Sequence, residues 1–394
     1  MSKVWVQWLS VQVLITADNH LDISAAMYGP RRFDRKEDFA RCFEVTVDYA
    51  LKERPDIYLI CGDLYDSVVP RNPPRSLMMR HFRALAEKGI KVFLISGHHD
   101  TARSLEQGAS PLSLYGDSGY ARFFSDFLRP ESSVFEKSGL KVQVSGVSFN
   151  PNLGVNEDPL ASMRFEKPRG DVNIFMLHYP IEGFKGVYSL TEPTIRASRL
   201  PSGYQLVAAG HIHRHQKSAF GDTVVIYPGS TERASFLEEG EKKGFVWVEL
   251  DKSGLISDEF IETPARELRT WEFNILNSGD VNAILQEELL KRVDPQLILR
   301  VRIVGDMSLK LLETYKRPAL LSRFQEKFFA LEFDEREMEI EAYEPVEALP
   351  RTTPLEELKR YFESIMAKAS EQERMALQEA FQKSIAMLQE AGAW

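Results

Sequence analysis

The sequence predicts a layered α/β fold, followed by a small α+β unit and a C-terminal helical hairpin. Three observations predict it. Between residue 11 and about residue 249, uninterrupted apolar runs alternate with stretches of helical periodicity. Strands covered on both faces read as continuous apolar runs, and their alternation with helices gives layers. From about Glu267 the texture changes: Trp271, Phe273 and Ile275 alternate with polar residues. Beyond residue 353, two capping boxes open two helices, Thr353 to Glu356 and Ser370 to Glu373.

The elements follow in order. A first buried strand is read over 11–17; Gln7, Ser10 and Gln12 break up the apolar N-terminus, so it lacks the compact core of a leader peptide. Further strands are predicted over 56–61, 91–96, 171–177 and 205–209, with helices over 39–50 and 76–86. The later unit reads as βαβαβ. It has a helix near 281–293, a strand at 299–303 with Arg300 and Arg302 on one face, a helix near 318–329 and a last strand near 337–342. A Pro- and Glu-rich stretch, 344–353, reads as a linker. Leu355, Leu358, Phe362 and Ile365 make one apolar stripe beyond it; Leu377, Phe381, Ile385 and Leu388 make another. These stripes either dock on the chain's own core or grip a partner. The division expected is 1–265, 266–343, the linker 344–353 and the hairpin 354–394.

Composition narrows the class. With 394 residues, 43% hydrophobic and 27% charged, the chain suits a globular protein of two or three domains. No apolar run approaches the roughly 18 residues of a membrane span, so no membrane partner is expected. A net charge of −9 argues against coating nucleic acid by bulk charge, though not against a local basic cleft. Two cysteines cannot form a disulfide framework, and a reducing cytoplasm is expected.

The chemistry lies in the first 250 residues. Each of five predicted strands delivers a metal-binding type of side chain just past its C-terminal end: Asp18 and His20; Asp63 and Asp66; His98, His99 and Asp100; His178; His211 and His213. In open α/β sheets that edge is where ligands bind. Six of the eight histidines fall there. In extended backbone, residues i and i+2 point the same way, so Asp18 with His20, and His211 with His213, are expected to face common centres. Glycines before Asp63, His98 and His211 allow sharp turns and close approach. Imidazoles and carboxylates without thiolates suit Mn, Fe or Zn, and a bridging carboxylate makes a two-metal site feasible. Each motif alone is weak, since an Asp after a strand is commonly a helix cap. Five in this order are not explained by turns and caps.

Asp18-x-His20, Gly62-Asp63-x-x-Asp66, Gly97-x-His99-Asp100, His178 and Gly210-His211-x-His213 resemble the calcineurin-like metallophosphoesterase superfamily. Tyr227-Pro-Gly-Ser-Thr-Glu-Arg233, Ser235-Phe236 and Lys243-Gly-Phe245 resemble, more narrowly, the double-strand-break repair nucleases called SbcD in bacteria and Mre-eleven elsewhere. The resemblance implies a layered β-sandwich flanked by helices, with a capping domain over the active site. It implies two Mn²⁺ per subunit, one held by Asp18, His20, Asp63 and His213, the other by Asp63, His178, His211 and His98. Asp63 is then the bridge, His99 the catalytic histidine, and Asp66 an acceptor behind a ligand histidine. The family has asparagine at position 98. His98 therefore binds the second ion through nitrogen, swings away and leaves that site weak, or is a substitution introduced to alter the enzyme.

The same resemblance implies 3′-to-5′ exonuclease activity on duplex DNA ends and endonuclease activity on single strands or hairpins. The implied protein is a homodimer that works with an SbcC/Rad-fifty-type coiled-coil ATPase through the C-terminal helices, near the nucleoid of a prokaryote. Arg31, Arg32, Lys36 and Arg233 are the DNA-contact candidates; Asp34, Glu37 and Asp38 among them equally suit a solvated mixed-charge face. Leu77, Met78, Met79 and Phe82 suit either a dimer contact or the core. Two rival readings remain: a phosphodiesterase for small substrates on the same fold, and a non-catalytic scaffold that bridges DNA ends, its second metal site impaired by His98.

Overall fold

A computed structural model describes residues 9–137, 139–186, 192–275, 279–340 and 353–390. The first part runs β1 (Val11–Thr16), α1 (Arg32–Glu53), β2 (Ile57–Cys61), α2 (Asn72–Glu87), β3 (Lys91–Ile95), α3 (Ser113–Asp117) and β4 (Arg122–Phe124). It continues through β5 (Glu131–Lys137), β6 (Leu140–Gly146), β7 (Val172–His178), β8 (Leu206–Gly210), β9 (Gln216–Phe220), β10 (Thr223–Tyr227), β11 (Gly244–Asp251) and β12 (Gly254–Glu262). The strands form two six-stranded sheets, ordered β12-β11-β1-β2-β3-β4 and β5-β6-β7-β8-β10-β9. Strands β1 to β4 are parallel, as are β6, β7, β8 and β10; β11, β12, β5 and β9 join antiparallel at the edges.

Alternate residues explain the layering. Val13, Ile15, Ile57 and Leu59 meet Val142, Val144, Ile174 and Met176 in the core between the sheets. The intervening residues Leu14, Tyr58 and Ile60 face outward onto Phe43, Val47, Met78 and Phe82 of α1 and α2. Phe175, Leu177, Val207 and Ala209 lie beneath Phe149, Leu160, Tyr179 and Ile195 of the loops over the other sheet. Both faces of the central strands are therefore buried, which is why they read as unbroken apolar runs. Met78 and Phe82 belong to this core, whereas Leu77 and Met79 are half-buried.

The smaller unit contains β13 (Leu268–Asn274), α4 (Val281–Lys291), β14 (Ile298–Met307), α5 (Leu309–Thr314), α6 (Arg317–Phe324) and β15 (Ala330–Ile340). Its sheet is β13-β14-β15, parallel throughout. The helix expected over 318–329 ends at Phe324, and the strand expected at 337 begins at Ala330. Phe328 and Phe329 explain the difference: both are buried, Phe329 against Leu268 and Ile298, so this stretch follows the sheet instead of prolonging the helix. The expected linker, 344–353, lies outside the described residues apart from Thr353. Helices α7 (Pro354–Met366) and α8 (Glu371–Glu390) follow, the first opened by the predicted capping box with proline in its first turn. They pair through Phe362 and Phe381, whose rings lie 5.1 Å apart.

A buried ionic knot joins the smaller unit to the first part. Arg266 donates to both carboxylate oxygens of Asp38 and, through its backbone N–H, to Glu232. Arg35 reaches Asp38 at 3.1 Å and Glu232 at 3.4 Å. The Arg266 guanidinium also covers the Phe329 ring at 3.7 Å. Burial, the largest influence, pushes the Asp38 carboxyl up, but Arg266 and Arg35 outweigh it and hold it below the ordinary value of 3.8. Because the folded state lowers this pKa, the stabilisation is complete above pH 3.8 and is lost as pH falls through the depressed value. Arg266→Ala is expected to destabilise by about 3 kcal/mol, because it strips a buried carboxylate of its two-pronged partner and leaves Arg35 to offset only part of the charge. Urea unfolding should show that loss at pH 7 and a smaller one under acid conditions that protonate Asp38.

Candidate metal centre

The C-terminal ends of β1, β2, β3, β7 and β8 place their side chains in one cluster. Asp18, His20 and Asp63 are buried there, and His178 is wholly enclosed. Three groups of ligand atoms each lie within 4.8 Å of one another: Asp18, His20 and His213; His20, Asp63 and His99; Asp18, Asp63 and His178. Asp18 and Asp63 share the third group, and His20 links the first two. Neither His98 nor His211 belongs to any of the three among the described residues.

The backbone that achieves this is not the extended one expected from the i, i+2 spacing. Asp18, His20, Asp63 and His211 all have positive φ, at 51°, 44°, 49° and 91°. Left-handed backbone is costly outside glycine and clusters at sites the surrounding structure over-determines. It turns Asp18 and His20 inward together but separates His211 from His213. The loops are cross-braced to hold it. The His211 N–H donates to both Asp18 oxygens at 3.0 Å, and the His99 N–H to Asp63 at 2.7 Å. Asp100 accepts from the backbone of Gly97 and Leu64, tying the β2 and β3 loops. Glycine is required by crowding. A Cβ on Gly62, itself at φ 88°, would lie 2.2 Å from His178 Nδ1, and one on Gly97 2.4 Å from Asp63.

The imidazoles are oriented from behind. His178 Nδ1–H donates to the Cys61 carbonyl at 2.7 Å, which turns Nε2 toward Asp63 at 3.2 Å and Asp18 at 3.8 Å. That buried Nε2 has no hydrogen-bond partner. His213 Nδ1–H donates to Glu238 at 3.0 Å, and its Nε2 faces His20 Nε2 at 3.1 Å. His20 Nδ1 lies 3.3 Å from Asp66. His211 Nε2–H donates to Glu192 at 2.6 Å. Backing by carbonyls and carboxylates fixes the tautomer and raises the basicity of a ligand histidine. An orphaned buried nitrogen among carboxylates, and two imidazole nitrogens facing each other beside a third, fit divalent ions held by nitrogen and oxygen.

The electrostatics agree. Burial pushes the Asp63 carboxyl up, yet His178, His20 and His99 outweigh it and hold it well below the carboxylate range. Burial disfavours a charged His178, but Asp63 and Asp18 prevail and raise it to about 9. His98 shows the reverse. Burial dominates and lowers it to about 4, so it is neutral, with its ring 5.4 Å from Phe149 and 6.3 Å from His211. His99 is the more open of the pair; its Nδ1–H donates to the Asp66 carbonyl at 3.1 Å.

Of the expected basic contacts, Arg233 and Lys36 are engaged within the protein. Arg233 donates to the carbonyls of Ala265, Arg266 and Glu241, which makes it a junction residue. Lys36 is paired with Asp22 at 2.7 Å. Arg31 lies over Phe329 and Arg32 over Phe33.

A family model described as calcineurin-like phosphoesterase matches residues 11–215, more than half of the chain. The chain belongs to that family. Calcineurin-like phosphoesterases depend on divalent metals, and the groups described above are this member's candidates for holding them. The DNA double-strand break repair protein Mre11 of Methanopyrus kandleri is 28% identical over 283 residues, covering 68% of this chain and 60% of that protein. Its counterpart in Methanocaldococcus jannaschii is 29% identical over 277 residues, covering 68% and 70%. The uncharacterized metallophosphoesterase YhaO of Bacillus subtilis is 30% identical over 251 residues, covering 62% and 58%. The match to the first of these relatives thus spans less than two thirds of its length. The similarity supports an Mre11/SbcD-type phosphoesterase, as the motifs imply.

Sequence reasoning missed two carboxylates, Glu192 and Glu238. Glu192 comes from an irregular loop and Glu238 from a single 3-10 turn after Ser235, and neither follows a predicted strand end. Glu238 is held by His213 and the buried Lys243, whose Nζ lies 2.6 Å away; burial pushes the carboxyl up, but these partners hold it at about 2. Glu238→Gln is expected to weaken Mn²⁺ binding about 10–100-fold in calorimetric titration, the usual cost of losing such backing. Unchanged affinity would show that His213 needs no support.

Proposed function

We propose that this phosphoesterase is a two-metal DNA nuclease that loads Mn²⁺ and cleaves phosphodiester bonds at duplex ends, in single strands and in hairpins. The observation that carries the reading is the convergence of Asp18, Asp63 and His178 with His20 and His213 in overlapping groups at one sheet edge. Asp18, His20 and His213 would hold one ion, and Asp63 and His178 the other, with Asp63 between them. When bound, the ions supply charge neutralisation at the scissile phosphate and an activated water. The chain supplies the rest. Cross-braced loops fix the two carboxylates, which are buried. His99, whose Nδ1–H is held by the Asp66 carbonyl, would deliver a proton to the leaving oxygen from its other nitrogen.

DNA as substrate is supported by the similarity to Mre11 proteins, whose name states a role in double-strand break repair. The three-stranded unit, tied to the phosphoesterase part by Arg266, acts as the capping domain in this reading. The helical hairpin is the docking site for an SbcC/Rad-fifty-type ATPase. Tyr361 and Met387 support that role: they are largely exposed on an apolar groove between α7 and α8. A homodimer in a prokaryotic cytoplasm completes the picture.

The scaffold reading draws on one observation: neutral His98 stands outside all three ligand groups. A nuclease assay on end-labelled duplex and hairpin DNA with Mn²⁺, or with chelator, separates the two. Metal-dependent cleavage is expected, with His99→Ala slowing kcat by about 10²–10⁴-fold. DNA left intact by the wild type but cleaved by His98→Asn would establish the scaffold instead. Hydrolysis of small esters alone would reject DNA as substrate.

A further inference from the structure

Away from the metal centre, a cleft of about 870 Å³ runs across the outer face of β5 and β6. Its floor is polar. Gln143 and Ser145 are buried, and Gln143 donates to the Ser132 and Ser145 hydroxyls while Tyr204 donates to Ser145. These groups satisfy one another, so the floor is a fixed surface. The walls carry four cations, Arg129, Arg164, Lys167 and Arg169, all exposed.

The acidic groups nearby do little to balance them. Glu166 reaches Arg169 at 3.7 Å, but both side chains are mostly in solvent, where such a pair contributes little. Asp126 accepts from the backbone amides of Leu128 and Arg129 instead of meeting a guanidinium. Among the described residues, Arg129, Arg164 and Lys167 have no ion-pair partner within 4 Å. In a chain of net charge −9, this is a local excess of positive charge lining a concave surface. Such clefts concentrate anions.

The position of the cleft suggests which anion. The Arg129 end adjoins the loop that carries Phe149: the Ser148 N–H donates to the Asp126 carbonyl, and Phe149 packs on His98 at the metal centre. At its other wall the Arg169 N–H donates to Gln143 and the Tyr204 hydroxyl to Ser145. Ser132 and Val134 of β5 and Gln143 of β6 supply the strand lining, and a stretch of three strand residues spans roughly 10 Å. Phosphates of one DNA strand repeat about every 3.4 Å along the helix axis, so about three fit in that distance.

We propose that this cleft holds the phosphate backbone of a nucleic-acid strand that passes to or from the metal centre. The proposal rests on nucleic acid being the substrate class. It gives the protein a phosphate-binding surface in place of the basic residues that the fold has committed to Asp22 and to backbone carbonyls.

The test replaces Arg129, Arg164, Lys167 and Arg169 together with serine in the full chain. All four are exposed, so the fold should tolerate the change; hydrolysis of bis(p-nitrophenyl) phosphate with Mn²⁺ reports an intact centre and should be unchanged. Binding of a hairpin oligonucleotide is measured in chelator at several salt concentrations. Loss of four phosphate contacts should lower the slope of log affinity against log salt by roughly 3. An unchanged slope, with the wild type binding DNA, overturns the cleft and leaves the substrate reading standing. A wild type that binds no oligonucleotide, yet hydrolyses the small diester, overturns the substrate reading and the cleft with it. If equimolar ATP displaces the oligonucleotide from the wild type, the cleft is a nucleotide pocket and the strand assignment is wrong.

Discussion

Two buried carboxylates, Asp18 and Asp63, must share a small enclosed space, and much of the site's construction answers that demand. Two anions at close quarters in a poorly polarisable interior repel strongly unless cations or donors surround them. The chain supplies both: His178 between them, His20 and His99 beside Asp63, and backbone N–H groups from the loops after β3 and β8. Those donors come from distant points in the sequence, so the sheets must bring five strand ends into register before the charges can be tolerated. Burial of the central strands on both faces makes that register strict, since alternate residues serve different cores.

The left-handed backbone at Asp18, His20, Asp63 and His211 follows from the same demand. An extended exit from each strand would send consecutive side chains to opposite faces. The positive φ values instead bend the chain over the sheet edge so that the carboxylates point inward. The bends are held by hydrogen bonds between loops, which is where the conformational cost is offset. Glu238 and Glu192 extend the arrangement outward by fixing His213 and His211.

Much of this was legible in the sequence, for a physical reason. Continuous apolar runs mark strands covered on both sides, and polar residues right after them mark the strand ends; together they gave β1, β2, β3, β7 and β8 and the residues now seen gathered there. Strands β5, β9 and β12 escaped because they lie at sheet edges, are largely exposed and carry the polar sequences such edges favour, whereas β6, β10 and β11 were passed over although they are buried inside the sheets. The convergence of Asp18 with His20 was expected from extended geometry, but the mechanism is a turn, and a turn without glycine leaves no compositional trace. Glu192 and Glu238 were invisible because neither follows a strand end, unlike Asp66. Arg233 looked like a phosphate contact from its place in a polar motif; only the fold shows its guanidinium enclosed by three carbonyls.

The central claim is that these groups form one centre for a pair of ions. Anomalous diffraction from crystals soaked in Mn²⁺ tests it most directly. Two peaks are expected roughly 3.5–4 Å apart, with Asp63 between them, one beside His20 and His213 and the other beside His178. A single peak, or none among these residues, would contradict the account.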